Sequence, residues 1–350
     1  MIRVALDGMG GDRAPGEVVR GAVQAVERLA VEVWLVGPPD TLHRELAACG
    51  YRGDRIQVIQ APEVVPMGAH GAEAVQRDRH RRGTSILVAT DLVRRGEVGA
   101  VVSAGSTGAQ LAAAQLALRR MRGVRRAAIA SPFPTLRGLS VLLDAGANPD
   151  CEPRDLLTFA VMGSIYAAEV LGIANPRVGL LSNGTEKTKG NALVVATHPL
   201  LARSGVNFIG NIEGRDILAG AADVTVCDGF TGNVVLKVAE GVGSGLFQMM
   251  KAELRGVRPA LGALLLKPAL RRLKGRMDYA EYGGAPLLGV RGVSIIAHGS
   301  SDRKAVGNAV RVAAEAVERD VVGRIERALA RAGLAEEWSG EGAAREDADE

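Results

Sequence analysis

One pattern recurs along this 350-residue chain and constrains its fold more than any single motif: a short apolar run stops at a glycine-rich turn, and a helical run follows. It occurs at Ala100–Ser103, where Ala104-Gly105-Ser106-Thr107-Gly108 leads into the apolar helical run Ala109–Leu118. It occurs again at Val178–Leu181, followed by Asn183-Gly184, Lys187 and Lys189, then Ala192–Leu201. A third copy runs from Asp223–Cys227 through Asp228-Gly229-Phe230-Thr231-Gly232-Asn233 into a helix expected to begin near Val234. Strand, tight turn and helix in repetition predict an α/β fold: a three-layer α/β/α sandwich around a Rossmann-like, open, mostly parallel sheet. The turns should lie at the carboxyl ends of the strands and face one crevice.

The rest of the chain fits that frame. Ile2–Asp7 reads as a buried strand ending in a glycine turn, followed by helical spacing over Pro15–Ala30, a strand at Val31–Val36, a helix at Thr41–Ala48 and a strand at Arg55–Gln60. Ser85–Arg95 and Leu156–Leu171 read as helices, and Ala127–Ser131, Leu139–Asp144, Val206–Gly210 and Val293–Ala297 as strands. Asp302–Ala332 reads as one long covering helix. Residues 1–335 are expected to form one catalytic unit, or two interleaved lobes, and 336–350 an acidic tail of disordered composition.

Several function classes are not supported. Gly8-x-Gly10 would need a third glycine at position 13, which is Arg13, and Gly184 followed by Lys189 lacks the second glycine of a nucleotide-binding P-loop. No GxSxG elbow and no HExxH pair occurs. Cys49, Cys151 and Cys227 are far apart, odd in number and without a CxxC pair, the pattern of a reduced chain with no zinc cluster. The N-terminus shows no signal-peptide pattern, and no apolar run reaches the roughly 18–20 residues that span a bilayer.

Charge is distributed unevenly. The net charge is +4, but residues 336–350 carry seven acids and one Arg, which leaves +10 on the body. A basic body points to an acidic partner, although no basic stripe interleaved with aromatics favours nucleic acid. Arg77, Arg79, Arg81 and Arg82 cluster after Pro66. Arg255–Arg276 holds seven basic residues and no acid around Leu264, Leu265 and other leucines, and reads as a helical hairpin insertion. Such a segment suits either an anionic membrane surface or a homodimer interface.

The three turns share one chemistry. Backbone N–H groups at a helix N-terminus, together with Lys187 and Lys189, make a place for an anion. Asp144 and Asn148, at another strand end, are expected to order their loop.

In unbroken order, DGMGGD at 7–12, SAGSTGA at 103–109, DAGANPD at 144–150, GLLSNGTEKTKGN at 179–191, NIEGRD at 211–216, DGFTGN at 228–233, YGGAPLLG at 282–289 and HGSS at 298–301 resemble the bacterial acyl-carrier-protein:phosphate acyltransferases of phospholipid synthesis. The resemblance covers roughly residues 1–333, with Ser106 standing where that family's loop has Asn. It implies a phosphotransacetylase-like, isocitrate/isopropylmalate-dehydrogenase-like fold. It further implies transfer of a long-chain acyl group from acyl carrier protein to inorganic phosphate, with neither cofactor nor metal. A cytoplasmic homodimer lying against the inner membrane is implied as well, in contact with anionic lipid and with the membrane glycerol-phosphate acyltransferase.

Within that chemistry each residue takes an expected role. Lys189 binds phosphate or stabilises the carbonyl oxyanion, with Asn233 as a neutral donor to the same centre. Gly105, Ser106, Thr107, Gly108, Asn183, Gly184, Gly229, Thr231 and Gly232 supply the cradle, while Asp228 and Glu213 orient the lysines. Lys187 or His198 would protonate or neutralise the leaving thiolate, although His198, beside Pro199 in a helical run, also reads as a packed residue. Arg271 and Arg272 are carrier-docking candidates. A decarboxylating dehydrogenase and a non-catalytic membrane scaffold are the rival readings.

Overall fold

The computed structural model describes residues 1–68, 71–81, 83–254, 262, 266–270, 272, 275 and 279–335. Eleven strands form one sheet: β1 Ile2–Asp7, β2 Val31–Gly37, β3 Ile56–Gln60, β4 Ala100–Ser103, β5 Ala128–Thr135, β6 Gly138–Leu143, β7 Val178–Leu181, β8 Phe208–Ile212, β9 Val224–Val226, β10 Ala285–Leu288 and β11 Val293–Ile296. The helices that concern the site are α1 Gly16–Arg28, α2 Pro39–Ala48, α3 Gly71–Arg77, α4 Ser85–Arg94, α5 Thr107–Ala117, α6 Pro153–Glu169, α7 Ala192–Leu201, α8 Gly214–Ala219 and α9 Gly229–Glu253. Two more, Arg303–Glu318 and Val321–Arg331, close the described chain.

Helices cover both faces of the sheet, as the strand residues require. In β1, Val4 and Leu6 join a core with α1, α6 and the C-terminal helices, whereas Ala5 joins a second core with α4 and α5. A parallel strand buried on both faces is apolar throughout, so β1, β4 and β7 read as runs and not as alternation. Small residues set the close approach of the layers. A Cβ at Gly21 of α1 would lie 2.6 Å from Val306, so glycine there lets α1 seat directly on helix Arg303–Glu318.

The strand order is β3-β2-β1-β4-β11-β10-β5-β6-β9-β7-β8. Pairing is parallel from β3 to β11 and from β6 to β8, but β11–β10, β10–β5 and β5–β6 are antiparallel. Three reversals leave the two parallel halves running in opposite directions. The turns after β4 and after β7 and β9 therefore leave opposite strand ends, which amends the expectation of a single row of carboxyl ends. The ordinary twist of a sheet works against that reversal. At roughly 20–25° per step, the five steps from β4 to β9 rotate the strands by about 100–125°, so the carboxyl ends diverge by about 55–80° instead of 180°.

Several elements differ from the sequence reading. The single helix expected over Asp302–Ala332 is two, because Asp320 takes a left-handed conformation (φ 50°) after Arg319. Residues 71–77, for which no element was expected, form α3, and α9 begins at Gly229, five residues before Val234. The predicted hairpin over 255–276 falls largely outside the described residues, as do Leu264, Leu265, Arg271, Arg82 and the 336–350 tail; Arg272 is described, as an exposed residue.

Candidate functional site

Contacts sort the turns into two sets. In the first, the turns after β1, β4 and β11 meet. Asp12 N–H donates to the Gly299 carbonyl at 2.8 Å, and the Ser103 hydroxyl donates to the buried Asp7 carboxylate at 2.8 Å while accepting from Gly105 N–H at 3.0 Å. Gly10 is wedged among them, since a Cβ there would lie 2.7 Å from both the Asp7 and Ser103 oxygens. Burial raises the Asp7 carboxyl above its ordinary pKa, against the pull of its hydrogen bonds.

This set fixes the start of α5. The amides of Thr107, Gly108 and Ala109 have no acceptor among the described residues, and Ser106 makes no side-chain cap. No acid occupies the first turn. The α5 N-terminus thus keeps both its open donors and its positive dipole end. The Ser106 hydroxyl lies against Gly71 of α3, 2.5 Å from where a Cβ would stand.

The second set leaves three neighbouring strands, β6, β9 and β7, which pair in parallel at Leu143, Val226 and Leu180. Asp144, fully buried, anchors it by accepting from the amides of Ile129, Gly146, Ala147 and Asn148 and from Asn148 Nδ2 at 2.8–3.1 Å. Burial still leaves its carboxyl above the ordinary range. Loop-ordering, the role expected for Asp144 and Asn148, is what these bonds perform.

At the start of α9 the hydrogen bonds differ from expectation. Gly229 N–H donates to the Asn148 carbonyl at 2.7 Å, Gly232 N–H to the Asp228 carbonyl at 2.9 Å, and Thr231 gives both its amide and its hydroxyl to the Asp228 carboxylate at 2.8 and 2.7 Å. Asp228 is therefore the N-cap of α9, and the amides expected to cradle an anion are occupied within the protein. Asn233 remains exposed, with its side chain packed over Gly146, where a Cβ would come within 3.5 Å of it.

The Lys189 turn is the open one. Lys187 and Lys189 are exposed, and neither has an ion-pair partner among the described residues. The amides of Asn183, Gly184 and Thr185, and of Ala192 and Leu193 at the start of α7, have no acceptor among the described residues, while Asn191 caps Val194. Lys189 lies across Gly184 so closely that a Cβ at 184 would be 2.9 Å from its Cγ. Two ammonium groups and a run of open donors on one turn form an anion-receptive surface.

His198 takes its packed alternative. It is buried on α7, edge-on to Phe208 at 5.1 Å, with Nδ1 at 3.0 Å from Asn211 Oδ1. Glu213 closes a capping box with Asp216 on α8 and pairs with Arg215; among the described residues it makes no ion pair with a lysine. Cysteine chemistry is disfavoured here: burial pushes the Cys151 thiol up to about 12 and Cys227 well above the ordinary range, so both stay protonated near neutrality. Asn211 is the site residue that sequence reasoning missed. Among the described residues, no three His, Cys, Asp or Glu side chains come together as a metal site.

Comparison with known proteins places this geometry. A phosphotransacetylase from Streptococcus pyogenes superposes with a TM-score of 0.64 at 17% identity, covering 91% of this chain and 94% of that one. A 4-hydroxythreonine-4-phosphate dehydrogenase from Klebsiella pneumoniae superposes at 0.54 with 15% identity, covering 91% and 99%. These two likenesses show the fold: an α/β fold with a large, mostly parallel sheet, as expected from the sequence, while the expected helical hairpin insertion is not shown. A phosphate acyltransferase of Desulfitobacterium hafniense (strain Y51) is 53% identical over 339 residues, covering 96% of this chain and all of the relative. With residues 2–324 matching the fatty acid synthesis protein family as well, the chain belongs to that family of acyltransferases.

Proposed function

We propose that this protein transfers a long-chain acyl group from acyl carrier protein to inorganic phosphate, giving acyl phosphate for glycerophospholipid synthesis. The observation that carries the reading is the Lys189 turn: the stem of an exposed lysine lies over Gly184, with no ion-pair partner among the described residues, beside amides without an acceptor among them and one strand from Asn233. Phosphate held there as a nucleophile attacks the thioester carbonyl carbon through oxygen. The carbon–sulfur bond breaks, and the carrier's thiol leaves as a thiolate of ordinary pKa about 8.5, which Lys187 neutralises. Fixing both reactants lowers the barrier by up to roughly 7–11 kcal/mol in favourable cases, and Lys189 and Asn233 oppose the charge that grows on the carbonyl oxygen. The open α5 N-terminus is the second anion-receptive wall, which the sheet's twist turns toward the first.

A homodimer has support on α9. Phe230, Val234, Val238, Val242, Leu246 and Met249 follow one another at helical spacing and are 47–69% exposed, a stripe that a soluble single chain rarely leaves bare. A second copy laid along it would cover the stripe and border the turn at Asp228–Asn233. The basic, leucine-rich 255–276 segment follows this helix directly, which suits contact with anionic lipid. No described helix is long and apolar enough to cross a membrane. The +10 body suits an acidic carrier, with Arg77, Arg79 and Arg81 exposed among its docking candidates.

The test is to incubate purified protein with long-chain acyl carrier protein and phosphate and to trap acyl phosphate with hydroxylamine. Product without added nucleotide is expected, and a folded sample that makes none overturns the reading.

A further inference from the structure

Asn211, the last but one residue of β8, is buried, and its amide has three hydrogen-bond partners among the described residues. Its Nδ2 donates to the carbonyl of Glu186 at 2.9 Å and to that of Lys189 at 3.4 Å, and its Oδ1 lies 3.0 Å from His198 Nδ1. Two carbonyls accept only, so the NH2 must face them and the oxygen must face His198. That orientation makes His198 Nδ1 the donor and fixes the imidazole tautomer. Phe208, also on β8, holds the ring edge-on at 5.1 Å.

The consequence falls on the Lys189 turn. Apart from the two Asn211 bonds and Lys189 N–H to the Glu186 carbonyl at 3.0 Å, no hydrogen bond reaches the backbone of 186–189 among the described residues. A loop with so few internal bonds is held by what reaches it from outside, and Asn211 reaches it at both ends of its tight Glu186–Lys189 turn.

Resting on the reading of this turn as the phosphate side of the site, we propose that Asn211 is a positioning residue that fixes the Lys189 ammonium for catalysis, with His198 orienting the Asn211 amide. Neither touches substrate. Asn211 sets where Lys189 leaves the backbone, and His198 keeps the Asn211 amide from turning its oxygen toward the two carbonyls. The buried histidine of this chain thus serves the reaction through a neighbour.

The experiment compares Asn211→Leu, His198→Phe and His198→Asn with Lys189→Ala in the full-length protein. The readouts are kcat and KM for phosphate with acyl carrier protein as donor, thermal midpoint, and amide hydrogen exchange of peptides spanning 183–191. Asn211→Leu should lower kcat/KM for phosphate on the order of 10²-fold, the loss expected of a displacement near 1 Å. It should speed exchange across 183–191 while exchange in β1 and β4 stays unchanged. His198→Phe should show a smaller loss of the same kind, and His198→Asn, which restores a donor where Nδ1 stands, should recover most of the activity. Unchanged exchange over 183–191 in Asn211→Leu overturns the positioning role, whatever the activity. A loss spread evenly over all peptides and matched by a lower thermal midpoint also overturns it, because that is the mark of general destabilisation. Normal turnover in Lys189→Ala would instead remove the functional reading of the turn, and the exchange measurement would still decide what Asn211 does.

Discussion

Lys189 lies across the face of Gly184, its Cγ 2.9 Å from where a Cβ at 184 would stand. The glycine is there for contact, since its φ is not among the positive ones. Gly184→Ala should therefore push the lysine stem and the Glu186 carboxylate aside without straining the backbone. We expect a fall in kcat/KM of about tenfold or more, roughly 1.4 kcal/mol of transition-state stabilisation, with little change in thermal midpoint. Steady-state kinetics beside a melting curve checks this, and unaltered kinetics would show that Lys189 has room to spare.

Gly232 offers a contrasting case in which the backbone itself is the obstacle. A Cβ there would stand 1.9 Å from the Asp144 carbonyl oxygen and 2.9 Å from Cys227 Sγ. Gly232→Ala should separate the start of α9 from the 144–148 turn and cost about 1–3 kcal/mol or more of stability. Denaturant unfolding measures it, and a midpoint equal to that of the parent would contradict the packing described.

Asp7 gives a dependence on pH. Burial raises its carboxyl above the ordinary value of 3.8, so the folded state holds the proton more tightly than the unfolded chain does. The associated stability is present in full below the ordinary pKa and is lost as pH rises through the folded value. Asp7→Asn removes that titration and keeps polar partners for Ser103 and Met9. The variant should gain thermal midpoint relative to the parent as pH rises above the ordinary carboxylate value; a difference that stays flat as pH rises would contradict the sign.

The exposed stripe on α9 predicts an assembly. Val238→Glu with Leu246→Glu places two charges on it and should convert a dimer to monomer by light scattering, with the monomer still folded by circular dichroism. A doubly substituted protein that stays dimeric would move the interface elsewhere.

Much of the fold was legible because a parallel strand buried on both faces leaves an apolar run: Ile2–Asp7, Ala100–Ser103 and Val178–Leu181 all read directly. The reversal between the two halves did not read, because it depends on where β5, β6 and β10 pair, and β10 hides behind the turn-like Gly283-Gly284. The break at Asp320 was hidden because an aspartate, not a glycine, takes the left-handed conformation there. The closed α9 N-terminus had a readable signal in Asp228 followed by Thr231 at the N-cap spacing. Asn211 had none, since it reaches partners 22 and 25 residues away in sequence.

The most direct test of the central claim is the rate of hydroxylamine-trapped acyl phosphate formation from long-chain acyl carrier protein and phosphate, measured for the parent and for Lys189→Ala. The account predicts rapid product from the parent and a loss on the order of 10²–10³-fold in the variant, the range for removing one preorganised oxyanion donor, with the melting curve unchanged. A parent that forms no acyl phosphate, or a variant that forms it at the parental rate, would contradict it.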